Sequence, residues 1–251
     1  MKKFGLLGST LSHSYSKIIH EIFYKEYNID AQYDLINTTT NELESIINKL
    51  KTNEYSGYNV TIPFKEEVLK YVDVLSPGVN DTGCCNTLIC IEGKIFAYNS
   101  DICGIDYLFN KVNLNIEEAY ILGTGATSKT VACVLGRKNI KYKVIGRNNK
   151  VLNYDYINNN FKNETIINTT PVGMYPNINH SVLSKEVASK ANCIIDLIYN
   201  PYETKLMSFN NNSYNGLSML VYQAAISFEV WNKIKVEISF VEKVIKELEV
   251  K

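Results

Sequence analysis

Two spacings of hydrophobic residues alternate along the first 112 positions of the chain. Runs with period two predict strands, and apolar residues three and four positions apart predict helices. A two-residue Glu-Gly connection between the last two runs predicts a hairpin. The elements predicted here are strands at 3–7, 32–36, 58–62, 87–91 and 94–98, and helices at 16–27, 43–50, 65–72 and 104–112.

The middle of the chain repeats this alternation, and its end is wholly helical. Strands are predicted at 119–122, 142–145, 165–168 and 193–198, and helices at 218–233 and 239–250. Strands that alternate with helices imply parallel sheets and the α/β class. We expect two domains, one of 1–101 with 217–251 and one of 102–216, with the C-terminal helices packed back on the N-terminal domain.

Charge and cysteine content narrow the classes of function. The chain has 26 Lys and Arg residues and 26 Asp and Glu residues, so its net charge is zero. This balance gives no reason to expect a nucleic acid or a membrane surface as partner. Small molecules are the expected partners of a monomer or homodimer. The six cysteines form no CxxC pair, and the apolar run at the N-terminus is too short for a signal peptide. We therefore expect a cytoplasmic protein with no metal and no membrane span.

A glycine-rich loop lies between a predicted strand and a predicted helix, at Gly123-Thr124-Gly125-Ala126-Thr127-Ser128. In this context the pattern predicts that the helix N-terminus binds the pyrophosphate of a dinucleotide, with the small Ser128 in place of a third glycine. A glycine turn in another α/β domain is the alternative. This reading makes 102–216 a Rossmann-like domain.

The end of the following strand indicates which dinucleotide. It carries Arg147 in place of the acidic residue that holds the ribose of NAD. A guanidinium binds a 2′-phosphate, so NADP is the expected cofactor. Lys150 is either a second positive contact or a solvated loop residue.

A lysine stands at another junction of strand and helix. In the strand 58–62, Asn59 and Thr61 share one face, and Lys65 follows at the predicted helix start. The field of a helix start favours the neutral amine, which would help a lysine to release a proton. A surface lysine is the alternative.

Several segments together resemble the shikimate dehydrogenase family, in the family's order and over nearly the whole chain. They are HSYS at 13–16, GYNVTIPFK at 57–65, NTL at 86–88, NSD at 99–101, the glycine loop, NTTPVGM at 168–174, DLIYNP at 196–201, and Asn215, Gly216, Met219, Gln223 and Ser227-Phe228-Glu229.

The resemblance implies an enzyme that reduces 3-dehydroshikimate to shikimate with NADPH, in a substrate domain joined to an NADP-binding domain. It implies a catalytic pair, Lys65 and Asp101. It implies substrate contacts from Ser14, Ser16, Asn59, Thr61, Asn86, Tyr199 and Gln223, and cofactor contacts from 123–128, Arg147, Thr170, Gly216 and Met219.

The alternative for some of these residues is a structural role as helix caps. Ser14 and Ser16 would suit such positions, and Asp101 could cap the helix predicted at 104. We interpret His13 and His20 as structural.

The chain departs from the family pattern in three places. Lys17 replaces a proline, Gly146-Arg147-Asn148 keeps only the arginine of the usual triplet, and 20 residues separate Arg147 from Asn168, about half the usual interval. A strand-helix unit is therefore expected to be missing, which would weaken the adenosine end of the cofactor site. Alternatives to the main reading are an NAD-dependent quinate/shikimate dehydrogenase, a non-catalytic metabolite-binding protein of the same fold and a folate-linked dehydrogenase.

Overall fold

The chain folds into two compact units, each built on one sheet. The structure is a computed structural model that describes residues 1–12, 14–113, 116–147 and 151–249. Unit 1 comprises Met1–Cys103 and Val221–Lys251, and unit 2 comprises Gly104–Leu220. Among the residues in these described ranges, no helix has the length and apolar character needed to cross a bilayer.

Unit 1 contains a six-stranded sheet in the order β2-β1-β3-β5-β6-β4. The three strands β2, β1 and β3 are parallel, whereas β5 is antiparallel to both β3 and β6, so the sheet is mixed and contains the antiparallel pair that the hairpin predicts. The predicted hairpin joins β5 to β6, and its Glu92 and Gly93 adopt φ values of 50° and 76°. The strands are β1 (Lys2–Gly8), β2 (Ala31–Asn37), β3 (Gly57–Val60), β4 (Val74–Leu75), β5 (Thr87–Ile91) and β6 (Lys94–Tyr98).

Helices cover the sheet of unit 1 and close its core. The segment after β3 is a short 3₁₀ helix, Glu67–Tyr71, and not the α-helix predicted at 65–72. The α-helices whose residues belong wholly or partly to unit 1 are α1 (Ser16–Glu26), α2 (Leu43–Asn48), α3 (Pro77–Thr82), α4 (Asp101–Val112), α8 (Leu217–Asn232) and α9 (Ile238–Glu249).

Aromatic contacts attach the C-terminal helices to the N-terminal part of the chain. The Phe23 ring of α1 lies 5.7 Å from that of Phe228 in α8 and 5.9 Å from that of Phe240 in α9. Trp231 of α8 stacks on Phe4 of β1, and its indole N–H donates to the Leu88 carbonyl at 3.0 Å. The predicted packing of these helices on the N-terminal domain is confirmed.

Unit 2 contains a five-stranded parallel sheet in the order β11-β10-β9-β7-β8. The chain leaves β7 for β8 on one side and then crosses to β9 on the other, so the strand order reverses at β7. In such sheets ligands bind at the carboxyl ends of the strands beside this reversal. The elements are β7 (Glu118–Leu122), α5 (Ala126–Arg137), β8 (Lys141–Ile145), α6 (Tyr154–Asn160), β9 (Thr165–Asn168), α7 (Lys185–Ala188), β10 (Cys193–Asp196) and β11 (Ser213–Asn215).

Strand β8 forms one edge of this sheet. In the described part of the chain its partners are β7 and a single bridge between Ile145 and Leu152. Only α6 lies between β8 and β9 there. This arrangement agrees with the missing strand-helix unit that the short interval after Arg147 predicts.

Candidate active site

Lys65 and Asp101 form a buried ion pair in unit 1. The Lys65 Nζ lies 2.6 Å from Asp101 Oδ2, and the two side chains are 12% and 6% exposed. The Cys85 N–H donates to the Lys65 carbonyl at 2.8 Å, which ties the turn after β3 to the chain entering β5. Because the amine is largely shielded from water, the carboxylate is its main electrostatic partner.

Asp101 is the first residue of α4 and does not cap a helix starting at 104. Its N–H donates to the side-chain oxygen of Asn99, at 3.2 Å. This contact satisfies one of the amide groups that a helix start leaves without a partner in the helix. The Asp101 side chain is therefore available for Lys65 and for one further donor.

That donor is Asn86, which directly precedes β5. Its Nδ2 donates to Asp101 Oδ1 at 2.9 Å and to Gln223 Oε1 at 3.1 Å. Its Oδ1 accepts the Ser100 N–H at 2.8 Å. The amide of Asn86 thus joins the ion pair to α8, and it fixes the orientation of both neighbours.

Asn59 of β3, predicted to contact substrate, has partners on every polar atom of its side chain. Its Oδ1 accepts from the Tyr33 hydroxyl at 2.7 Å and from His20 Nε2 at 3.1 Å. Its Nδ2 lies 3.0 Å from both the Asn86 carbonyl and Ser227 Oγ. The side chain is therefore held inside the unit, behind Asn86.

Three predicted substrate residues lie where elements of unit 1 begin or end. Ser14 precedes α1, Ser16 is the first residue of α1, and Thr61 directly follows β3. Ser14 is half-buried, and its Oγ accepts the Ser16 N–H at 3.2 Å, so this hydroxyl does contribute to the helix start. The Thr61 N–H donates to the Leu7 carbonyl at 2.9 Å. A methyl group built on Gly8 would lie 2.7 Å from Thr61 Cγ2, so a larger residue there would displace the threonine side chain.

His20 is structural, as interpreted from the sequence. Its ring is fully buried between Tyr33, at a centroid distance of 4.5 Å, and Trp231, at 5.2 Å. Burial lowers the pKa of His20 to about 3, and the bond to Asn59 opposes this only in part. The ring is therefore neutral at physiological pH. His13 lies outside the described residues.

The glycine loop of unit 2 follows β7 and ends at the first turn of α5. Gly123 has a φ of 115°, which strongly favours glycine, and a methyl group there would lie 2.6 Å from the Thr169 hydroxyl. Gly125 directly precedes α5, and a methyl group built on it would meet no atom within 4 Å. Ser128 is buried, as expected for the position that packs helix on strand. The loop thus leaves open space at the start of α5, which fits a pyrophosphate.

Two predicted cofactor residues lie at the carboxyl ends of the neighbouring strands. Arg147 follows β8 and is exposed. Burial raises the pKa of Tyr154, and the positive charge of Arg147 opposes this effect in part. Thr170 follows β9, and both its N–H and its hydroxyl donate to Asn168 Oδ1, at 3.0 and 2.8 Å. Lys150 lies outside the described residues.

Asn168 is itself held by a buried carboxylate. Its Nδ2 donates to Asp196 Oδ1 at 2.9 Å, and the Thr204 hydroxyl donates to Asp196 Oδ2 at 2.6 Å. Burial raises the pKa of Asp196 to about 6, although these bonds oppose the shift. Asp196 therefore orients the Asn168 amide so that its oxygen faces Thr170.

The remaining predicted residues also belong to unit 2. Gly216 has no room for a side chain, because a methyl group there would lie 2.2 Å from the Leu197 carbonyl oxygen. Met219 is buried in the first turns of α8, and Tyr199 follows β10. These contacts explain the glycine structurally, and the ligand roles of all three stay predictions.

The structure brings most of the predicted substrate residues and the catalytic pair into unit 1, and the predicted cofactor residues into unit 2. It adds three buried hydroxyl groups that lie within the quoted family motifs but had no predicted role, those of Thr87, Ser100 and Ser227. Ser227 follows Gln223 by one helical turn, and Ser100 directly precedes Asp101. Closeness in sequence to predicted site residues is therefore the feature from which a role for them could have been predicted.

Comparisons with known proteins show the family of the chain. A family model for the shikimate dehydrogenase substrate binding domain matches residues 6–88, and one for the shikimate 5′-dehydrogenase C-terminal domain matches residues 216–246. A shikimate dehydrogenase (NADP(+)) of Clostridium perfringens is 35% identical, over 99% of this chain and 98% of that relative.

Solved structures show the same likeness. Shikimate dehydrogenase 1 of Peptoclostridium difficile superposes with a TM-score of 0.92 at 34% identity, over 100% of this chain and 98% of that one. A shikimate dehydrogenase in complex with NADP⁺ has a TM-score of 0.85 at 28% identity, over 100% of this chain and 96% of that one. The chain belongs to the shikimate dehydrogenase family.

Proposed function

We propose that this protein is an NADP-dependent shikimate dehydrogenase, which reversibly reduces 3-dehydroshikimate to shikimate in the biosynthesis of aromatic amino acids. The observation that carries the proposal is the buried pair of Lys65 and Asp101, 2.6 Å apart and bonded onward to Asn86 and Gln223. The family relationship and the names of the relatives support it.

The ion pair supplies the proton chemistry of the reaction. NADPH, when bound, provides the hydride that reduces the ketone, and the ketone oxygen then needs a proton. Lys65 donates this proton as a general acid, while Asp101 stabilises and orients its ammonium group. In the reverse direction the same lysine accepts the proton of the substrate hydroxyl.

Polar groups of unit 1 fit a small acid with several hydroxyl groups. Ser14 and Ser16 offer hydroxyl groups at the N-terminus of α1, where the helix dipole favours the substrate carboxylate. Thr61, Asn86 and Gln223 present donors and acceptors for the ring hydroxyls. Such a site selects by hydrogen bonds more than by apolar contact.

Unit 2 would bind the cofactor. The amides at the start of α5 hold the pyrophosphate, and Arg147 binds the 2′-phosphate that distinguishes NADP from NAD. Thr170, on the loop that Asn168 and Asp196 hold, is placed beside the glycine loop at the strand reversal. We propose a cytoplasmic location, and the choice between monomer and homodimer stays a prediction.

Lys65→Ala tests the chemistry directly. A general acid contributes about 10²–10⁴ to the rate, so we expect kcat for shikimate oxidation to fall by this factor with a modest change in KM. Lys70→Ala is the matched control, because Lys70 lies five residues later with its own acidic partner, Glu67, and is exposed. An increased KM with unchanged kcat would show that Lys65 only binds substrate.

The same assay separates the alternatives. Formation of NADPH from shikimate and NADP supports the proposal, whereas turnover only with NAD would favour the NAD-dependent quinate/shikimate enzyme. Fluorescence of Trp231, the one tryptophan of the chain, can report shikimate binding independently of turnover. Binding without turnover with either cofactor would indicate a non-catalytic metabolite-binding protein.

A further inference from the structure

One buried hydroxyl group joins four segments of unit 1 behind the candidate active site. Ser227 in α8 has no solvent exposure, and its Oγ lies 2.8 Å from Thr87 Oγ1 and 3.1 Å from Ser100 Oγ. It also lies 3.0 Å from both Asn59 Nδ2 and the Gln223 carbonyl. Through these contacts it connects β3, β5, the residue before α4, and α8.

The direction of each hydrogen bond follows from what the groups can donate. The Asn86 carbonyl, 3.0 Å from Asn59 Nδ2, can only accept, so this Nδ2 is the donor to both Asn86 and Ser227. Ser227 therefore accepts from Asn59 and has one hydrogen of its own to give. The direction in which the Thr87 and Ser100 hydroxyl groups donate therefore depends on where the Ser227 hydrogen points.

Thr87 and Ser100 link Ser227 to the side-chain amide of Asn86. Both hydroxyl oxygens lie 3.1 Å from Asn86 Oδ1, and the Ser100 N–H donates to the same oxygen. Donors around Oδ1 fix the amide with its Nδ2 toward Asp101. A flipped amide would place an oxygen against the Asp101 carboxylate, and the two would repel each other.

We propose that Ser227 is a positioning residue for the Lys65–Asp101 pair. It holds Thr87 and Ser100 so that Asn86 donates to Asp101, and it holds Asn59 in the same network. Because its side chain has no solvent exposure, it acts through these neighbours and not by contact with a ligand. The proposal rests on the proposed function, since it assigns Ser227 a part in that reaction.

The effect of Ser227 should appear in kcat. Removing its hydroxyl leaves Asn59 and Thr87 each with one partner fewer in a site without solvent, so the network loses its single arrangement. We expect Ser227→Ala to lower kcat for shikimate oxidation about five- to tenfold, the value of roughly one buried hydrogen bond. KM for NADP should stay nearly unchanged, because the predicted cofactor residues belong to unit 2 and the Ser227 network to unit 1.

The test compares Ser227→Ala with Val244→Ala in the full-length protein. Val244 is buried in α9 and carries no polar group, so its truncation controls for loss of stability in the same unit. Both variants are assayed well below their measured unfolding temperatures. Should Ser227→Ala fail to fold, Ser227→Cys keeps the volume with a weaker donor and is expected to lower kcat as well.

Each outcome bears on one of the two proposals. A fall in kcat for Ser227→Ala, without one for Val244→Ala, supports the positioning role. Equal kcat values for wild type and Ser227→Ala, or an equal fall in both variants, would overturn it and leave the proposed function intact. A folded wild-type protein without activity would overturn the proposed function, and the positioning role with it.

Discussion

Acidification should act in opposite directions on the two units of this protein. In unit 1, His20 is fully buried, and burial lowers its pKa from 6.5 to about 3. Below pH 6.5 the unfolded chain binds a proton at this histidine, whereas the folded unit does not until about pH 3. Unit 1 therefore loses stability as the pH falls through this range.

The size of the effect follows from the two pKa values. A difference of about 3.5 corresponds to roughly 5 kcal/mol, at 1.4 kcal/mol for each pKa unit. No charge on a neighbouring ring offsets it, because burial also raises the pKa values of Tyr24 and Tyr33 and keeps both phenols neutral. This loss is comparable to the whole stability of many domains.

Asp196 gives unit 2 the opposite dependence. Burial raises its pKa from 3.8 to about 6, so the folded unit binds a proton where the unfolded chain does not. The stability from this group is complete below pH 3.8 and is lost as the pH rises through about 6. Its size is roughly 3 kcal/mol by the same conversion.

Hydrogen exchange can follow the two units separately. We expect the core amides of β1 and β3 to exchange faster between pH 6.5 and about 4, after correction for the intrinsic rate, and those of β9 and β10 more slowly. Trp231, whose ring lies 5.2 Å from that of His20, reports the unfolding of unit 1 by fluorescence. His20→Gln should remove the dependence in unit 1, because glutamine can still donate to Asn59 and does not titrate.

His180→Gln controls for the loss of one ionisable group, since it removes an exposed histidine of unit 2. If unit 1 keeps the same stability across this pH range, His20 takes up its proton in the folded state and the reasoning fails. An acid effect that persists in His20→Gln would place its origin in another group.

Three substitutions test other parts of the structure. Arg147→Ala should lower kcat/KM with NADPH about ten- to hundredfold and leave NADH nearly unaffected, as measured by steady-state kinetics. Asn168→Leu should lower the free energy of unfolding by about 2–3 kcal/mol in urea denaturation, because the buried Asp196 carboxylate loses a donor. Gly57→Ala should lower the melting temperature and change the fluorescence of Trp231, because the added methyl group would lie 2.3 Å from its indole nitrogen.

The contradicting results differ for the three. An unchanged preference for NADPH would show that Arg147 does not bind the 2′-phosphate, and an unchanged urea midpoint would show that Asp196 finds another donor in place of Asn168. For the glycine, Gly136→Ala is the control, because Gly136 lies in α5 with no atom near the added methyl group. Equal melting temperatures for both alanine variants would refute the proposed collision with Trp231.

Much of the fold could be predicted because hydrophobic spacing records which face of an element is buried. The predicted strand 3–7 is β1 with one residue more at each end, and the hairpin after β5 was evident from Glu92 and Gly93. The direction of β5 relative to β3 could not be predicted in this way. Periodicity is the same in parallel and antiparallel strands, and the chain between β3 and β5 is too irregular to show how it returns.

The candidate site was predictable where single residues have distinct chemistry. Lys65, Asp101 and the glycine loop stand out by charge or by conformation. Thr87, Ser100 and Ser227 do not, because an isolated hydroxyl residue in a sequence has the same appearance on a surface as in a core. Their role depends on contacts between positions 13 to 140 apart in the chain, which no local pattern contains.

Several of the predicted site residues are buried and hydrogen-bonded to one another in unit 1, whereas several are exposed on loops in unit 2. This difference predicts which kinetic constant a substitution changes. In unit 1, Asn59, Asn86 and Asp101 are buried and bonded to one another, so a change in one member displaces the rest and alters the chemical step. In unit 2, Gly125 and Arg147 lie exposed on loops that follow single strands. A change there should remove one proposed contact with the cofactor and leave its neighbours in place. Substitutions in the first set should therefore lower kcat, and those in the second should weaken cofactor binding.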